Sequence, residues 1–282
     1  MAGGPRAVRR GLLAIAYFVA AATALAFLVL PIVAIFVHVS PGRLIDQVSN
    51  PVVTDALLVS FKTTLIAQIL VLVFGTPTAY LLASRRFPGR ALAVTLVELP
   101  LVLPPAVAGI GLLAAFGRFG LLGSTLSWAG ITLPFTQSAV TLAVAFVASP
   151  LYVRQAIAAF EAVDPNLAAA SRTLGAGPAR TFFRVVLPLA RGGLAAGEAL
   201  AFARGLGEFG ATIMFAGSLQ KVTQTLPLAI YAEFEVNFDV TLAISALLVL
   251  ISAAILISLK LTSLWQPSAQ ISRSRSVHLS WS

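Results

Sequence analysis

Thr63-Thr-Leu-Ile-Ala-Gln-Ile-Leu-Val-Leu-Val-Phe-Gly-Thr-Pro-Thr-Ala-Tyr-Leu-Leu-Ala-Ser84 runs for 22 residues without a charged side chain. As a helix it is about 33 Å long, and the hydrocarbon core of a bilayer is about 30 Å thick. Lys62 precedes it, and Arg85 and Arg86 follow it, as basic residues flank a membrane-spanning helix. The same reading extends outward. Upstream, Gly11 to Val37 carries no charge over 27 residues. Downstream, Ala91 to Phe116 is interrupted only by Glu98, and Val240 to Leu259 is uncharged over 20 residues. Phe119 to Val153 is uncharged over 35 residues, too long for one span. Gly130 and Pro134 divide it into an outer loop or short helix, then a span from about Thr136. Arg191 to Gly217 is apolar apart from Glu198, Arg204 and Glu208 and their leading Arg191. The pattern predicts an all-α polytopic membrane protein with six spans.

Composition excludes the other classes. Of 282 residues, 59% are hydrophobic and only 10% charged, against about 25% charged in a soluble domain. That excludes a water-soluble globule and a disordered chain. With no Cys, disulfides, thiolate metal sites and Cys nucleophiles are excluded. His38 and His278 are too far apart in sequence to form a ligand cluster. The net charge of +9 raises nucleic acid as a partner, but Lys and Arg sit in short clusters between apolar runs, so no nucleic acid is expected. Membrane lipid is the expected surround. The first apolar run is too long for the roughly 7–15-residue core of a signal peptide, so it is read as an uncleaved span.

Cationic residues orient the chain. With the N-terminus in the cytoplasm, fourteen Lys and Arg fall on inner segments and three, Arg43, Arg118 and Lys221, on outer ones. This bias predicts both termini inside a cell membrane. The expected organisation is a cytoplasmic N-terminus at 1–10, one membrane domain at 11–264 with a cytoplasmic loop at about 154–190, and a Ser-rich disordered tail at 265–282.

That inner loop has structure written into it. Asp164-Pro165 reads as an N-cap and N1 proline. Asn166 to Leu174 is helix-forming, and Gly175 ends it as a C′ glycine. Gly177-Pro178 starts a second helix, with Phe182, Phe183, Val186 and Leu187 on one side and Arg180 and Arg184 on the other. Pro188 marks entry into the next span. A helix–Gly–helix elbow with an apolar face fits a docking surface for another protein. It fits equally an amphipathic hairpin on anionic lipid.

Ala169, Ala170, Ser171, Gly175, Val185, Leu187 and Pro188 match the spacing of the E-A-A-x-x-x-G-x9-I-x-L-P loop. The chain thereby resembles the permease subunits of bacterial ABC importers, with Ala169 where the pattern has Glu and Ser171 where it has Ala. The resemblance implies a type I importer fold, with these residues coupling to a cytoplasmic ATPase dimer. Gly207-Glu-Phe-Gly-Ala-Thr212, Met214-Phe-Ala-Gly217 and Thr223-Gln-Thr-Leu-Pro-Leu-Ala-Ile-Tyr231 resemble the molybdate branch of that family. Tungstate and sulfate or thiosulfate permeases are the near alternatives. The resemblance further implies a homodimer and an extracytoplasmic oxyanion-binding protein. No Lys follows a Gly as in a P-loop. The chain is therefore expected to be non-catalytic and without a cofactor, ATP being used by the partner. A secondary transporter is the rival of another class, against which stands the lack of an internal repeat. An intramembrane enzyme lacks a His cluster and a nucleophile–base pair.

Two spans carry candidate site residues. Gly193, Gly197, Ala201 and Gly205 recur every four residues, a spacing that lets helices approach closely in lipid. Helical periodicity puts Arg204 and Glu208 on that same face, within pairing reach of each other. Buried charges in a span are either a locking ion pair or part of a pathway. Arg204, Glu208 and Thr212 are the candidates for a substrate path or gate. In the third span, Pro100, Pro104 and Pro105 with Gly109 and Gly111 read either as a plain kink or as a broken helix lining a cavity.

Overall fold

A computed structural model describes residues 5–39 and 41–264. Residues 1–4 and the predicted Ser-rich tail at 265–282 lie outside the described residues. Those described form helices only: α1 (Pro5–His38), α2 (Pro41–Val48), α3 (Pro51–Ser84), α4 (Arg90–Val102), α5 (Pro105–Phe116), α6 (Gly123–Trp128), α7 (Gln137–Glu161), α8 (Pro165–Thr173), α9 (Pro178–Thr181), α10 (Leu187–Leu206), α11 (Gly210–Ala216), α12 (Leu226–Glu233) and α13 (Phe238–Leu264). A π turn, Phe182–Val186, joins α9 to α10.

The helix starts follow from local chemistry. Proline opens α1, α2, α3, α5, α8 and α9, where its missing N–H is no loss. Asn50 caps α3 by accepting from the Val52 N–H at 2.9 Å, and Asp164 caps α8 by accepting from Asn166 N–H at 2.9 Å. Five helices are long and apolar enough to cross a membrane, and the pair α4–α5, bent by 114°, makes a sixth. The six predicted spans are therefore present, and the outer connection holds the short helix α6.

α7 is the centre. α3 lies parallel to it: Lys62 donates to Gln137 at 2.9 Å near one end, and Tyr80 meets Phe160 edge-on at 5.4 Å near the other. Between them, Gly75 brings the backbones together, since a Cβ there would stand 3.0 Å from the Tyr152 ring. α10 runs antiparallel on α7. Added Cβ atoms at Gly193, Gly197 and Gly205 would meet Ala159, Gln155 and Val144 at 2.5, 2.9 and 2.8 Å. The stripe of small residues is thus the α10–α7 contact, and Ala201 within it is fully buried. α4 runs antiparallel to α7 as well, held by Arg90–Glu161 and Glu98–Arg154 ion pairs at 2.6 and 3.7 Å. Past the bend, Leu112 and Phe116 pack with Leu133, Ala139 and Val140 at the other end of α7. The bent pair therefore travels the length of α7, as a single broken span would.

A second cluster ties together the helix ends around the start of α3. Val53 and Ala56 of α3 pack with Leu226 and Ala229 of α12 and Val240 and Ile244 of α13. The Ser60 hydroxyl accepts from Leu226 N–H at 2.7 Å, giving the first turn of α12 a partner. α1 stands off, with none of its most apolar segment buried inside the chain. Such a helix needs lipid or another subunit around it.

Two boundaries differ from the sequence reading. Arg154 is inside α7, which continues to Glu161, so helix extends into the stretch read as the loop at 154–190. Pro178–Leu206 is one helical run of 29 residues with the π turn inside it, so Pro188 lies within that run and not at the start of a separate helix. Proline at the second position of α10 is tolerated because the π turn already displaces the hydrogen bond it would break.

Candidate functional site

The inner turn closes as a Schellman motif. Ala176 N–H donates to Ser171 O at 3.1 Å and Gly175 N–H to Arg172 O at 2.9 Å, the two bonds that define it. Gly175 has φ +83°, and a Cβ there would meet nothing within 4 Å. Its requirement is conformational rather than steric. Ser171 and Thr181 hydroxyls, 3.2 Å apart, fasten α8 to α9.

The turn frames an open groove of about 650 Å³. Ala170, Ser171, Val185 and Pro188 line it together, with Leu174 and Leu189 exposed along it. Leu187 instead packs into the core cluster around Tyr152. Ala169 is exposed away from the groove. Of the seven loop residues singled out from sequence, four surround the groove and Gly175 shapes its turn. Arg180 and Arg184 add positive charge to a largely apolar floor.

The second region is where two spans break. The span read as Arg191 to Gly217 is not continuous: α10 ends at Leu206 and α11 begins at Gly210. Glu208 lies between, 1% exposed. One carboxylate oxygen accepts from Ala211 N–H at 2.7 Å and so caps α11. The other lies 2.8 Å from Arg204 Nη2, an ion contact rather than a linear hydrogen bond. The predicted pair exists, but Glu208 sits past the end of the helix whose periodicity was used to find it. α11 presses on α5: a Cβ at Gly109 would stand 2.6 Å from Ala211 O, and one at Gly210 would stand 2.6 Å from Pro105 Cβ. The starts of the two half-helices that follow the breaks, at Pro105 and Gly210, therefore touch.

Polar atoms gather behind this contact. Thr212 is fully buried and its hydroxyl has no partner among the described residues. Gln68 is 2% exposed with both amide atoms unpartnered, and its Nε2 lies 3.2 Å from a Cβ built on Gly205. An unmet buried polar group costs about 1–3 kcal/mol. At membrane depth such groups mark paths for water, ions or substrate. Sequence reasoning found Arg204, Glu208 and Thr212 but missed Gln68, because a lone amide in an apolar run carries no signal until its neighbours are known. It also missed the α4–α7 ion pairs, since nothing in the sequence tells which helices are neighbours.

These features are those of a transport subunit, and comparison with known proteins agrees. Residues 72–265 match the model of the family described as the binding-protein-dependent transport system inner membrane component. The chain belongs to that family. As one of these transport components, it is similar to the molybdenum transport system permease protein ModB of Mycobacterium bovis, 42% identical over 85% of this chain and 91% of that one. It is similar also to the protein of the same name from Escherichia coli, 44% identical over 78% of this chain and 95% of that one. Among solved structures, a bacterial alginate ABC transporter crystallised with its alginate-loaded periplasmic protein shares the fold, with TM-score 0.67 at 16% identity over 92% of this chain and 96% of the other. The transport component described here is thus a multi-pass membrane protein with the type I importer permease fold.

Proposed function

We propose that this chain is the permease subunit of an ATP-driven importer that carries molybdate into the cytoplasm. The observation that carries the reading is its 42–44% identity, over most of its length, to proteins named as molybdenum permeases. The groove beside α8 takes the cytoplasmic ATPase dimer, whose movement reaches the membrane through the unbroken Pro178–Leu206 helix. An extracytoplasmic oxyanion-binding protein delivers the anion. Two copies of the chain face each other, and the broken spans flank the path between them, with Arg204, Glu208 and Thr212 as its gate. ATP is used by the partner, and this chain needs no cofactor of its own. Both termini are cytoplasmic.

Radiolabelled molybdate uptake tests this in cells lacking their own molybdate permease and supplied with this chain and its ATPase. Uptake should be saturable, need the ATPase, and persist in excess sulfate. Uptake abolished by sulfate at concentrations near that of molybdate would overturn the assignment. Within the same assay Gly175→Asn should transport, because Asn adopts the left-handed turn readily, and Gly175→Val should lose most uptake at unchanged membrane level.

A further inference from the structure

A second cavity, about 640 Å³, lies on the opposite side of α8 from the docking groove. Helical periodicity puts Pro165, Ala168 and Arg172 on this side of α8, and Leu167, Ala170 and Ser171 on the groove side. The two cavities therefore share no lining residue of α8. Three guanidinium groups reach this cavity, Arg86, Arg90 and Arg172, against two carboxylates, Glu161 and Asp164. Both carboxylates are already engaged. Glu161 accepts from Arg90 Nη2 at 2.6 Å, and Asp164 accepts the N–H of Asn166 as the cap of α8. Arg90 Nε donates to Leu82 O at 2.6 Å, which fixes that guanidinium in place. Arg86 and Arg172 are exposed and lie in no ion pair among the described residues. Tyr80 and Phe160, packed edge to face, form an aromatic wall at the inner ends of α3 and α7.

Two guanidinium groups free of ion pairs among the described residues, sharing a cavity with a fixed third one and an aromatic wall, suit a tetrahedral oxyanion. Basic pockets between spans on the cytoplasmic side take phosphate headgroups. We propose that this cavity binds a phosphate-type oxyanion, presented by an anionic lipid headgroup or free in the cytoplasm, with Arg86 and Arg172 as its main contacts. The proposal rests on the cytoplasmic placement of α8 given above. It does not depend on the substrate, because its test reads binding and not uptake. An anion held there would stand against the capped start of α8 and so would bias the helix that meets the ATPase.

The test is native mass spectrometry of the full chain released from vesicles of mixed phosphatidylglycerol and phosphatidylcholine, with inorganic phosphate titrated in parallel. The wild type should retain phosphatidylglycerol over phosphatidylcholine and lose that preference at high salt. The double variant Arg86→Gln with Arg172→Gln should retain about twenty-five-fold less, roughly fivefold for each cation near the surface. Arg85→Gln, exposed and outside the cavity, should retain as much as wild type. If inorganic phosphate binds the wild type saturably and the double variant does not, the oxyanion site stands and its source is the free ion. Equal retention of both lipids by the wild type, together with no phosphate binding that the double variant lacks, would overturn the proposal. The single variants Arg86→Gln and Arg172→Gln keep the question answerable if the double variant misfolds: each should retain about fivefold less, and wild-type retention by a folded single or double variant would overturn the proposal.

Discussion

Glu208 does two things with one carboxylate, and its partner is not equivalent to it. The carboxylate is 1% exposed and serves both the cap of α11 and the contact to Arg204, whereas the Arg204 side chain is 33% exposed. Removing Arg204 strands a buried anion, which costs about 3–5 kcal/mol. Removing the charge of Glu208 as Gln keeps an oxygen for the Ala211 N–H and leaves a cation that is only partly enclosed by the chain. Arg204→Met should therefore lower membrane abundance sharply, and Glu208→Gln only slightly. The double change Arg204→Met with Glu208→Gln should recover abundance, as judged by immunoblot of purified membranes. Uptake by the recovered double variant then separates the two roles: it stays low if the pair gates the path, and returns to wild type if the pair only locks the break. Equal loss from the two single changes would refute the asymmetry. Helical periodicity was enough to find this pair, because i and i+4 stay close even where a helix ends. It could not show that one member caps the following helix.

At the scale of elements, the contact between the broken spans is testable through two glycines two residues apart. Both lie in α5. Gly109 faces α11 backbone, where a Cβ would stand 2.6 Å from Ala211 O, while a Cβ at Gly111 would meet nothing within 4 Å. Backbone cannot yield as a flexible side chain does. Gly109→Ala should therefore push α5 from α11 and lower the thermal midpoint in detergent. Gly111→Ala should hold or raise it, since Ala is favoured over Gly in a helix interior by up to about 1 kcal/mol. The reverse order of midpoints would contradict the packing described. The elements themselves were largely legible. Apolar runs the length of a bilayer located each span, and Pro after Asp164 and Gly177 marked helix starts. The π turn and the break at Gly207–Phe209 were not. Gly-Glu-Phe-Gly holds no proline, and it is compatible with a helix until the buried carboxylate finds an N–H beyond it. In the third span the break was foreseeable because Pro104-Pro105 removes two donors in succession.

At the scale of the whole molecule, charge and packing bear on the topology independently. Fourteen basic residues against three favour one orientation by charge alone. The packing adds a constraint that charge does not: α3 and α7 lie parallel, so the chain between them must cross the membrane once more. α4 and α5 are the only segment there long enough in combination. A bend of 114° would also suit a hairpin that dips in and returns, but the contacts of Arg90 and Phe116 at opposite ends of α7 join the parallel packing in favouring a crossing. Alkaline phosphatase fusions decide between these forms. Fusions after Ser49, Trp128 and Val222 should be active, hence extracytoplasmic, and those after Phe87 and Gly177 inactive. Trp128 is the discriminating position, since it closes α6 just after the bent pair. Activity there requires the broken span to traverse the bilayer. Inactivity there, with Ser49 still active, would make α4–α5 re-entrant and put the start of α7 on the wrong side for parallel packing on α3. The Lys62–Gln137 hydrogen bond could not then form, and the touching half-helix starts at Pro105 and Gly210 would no longer lie across a path from one side to the other.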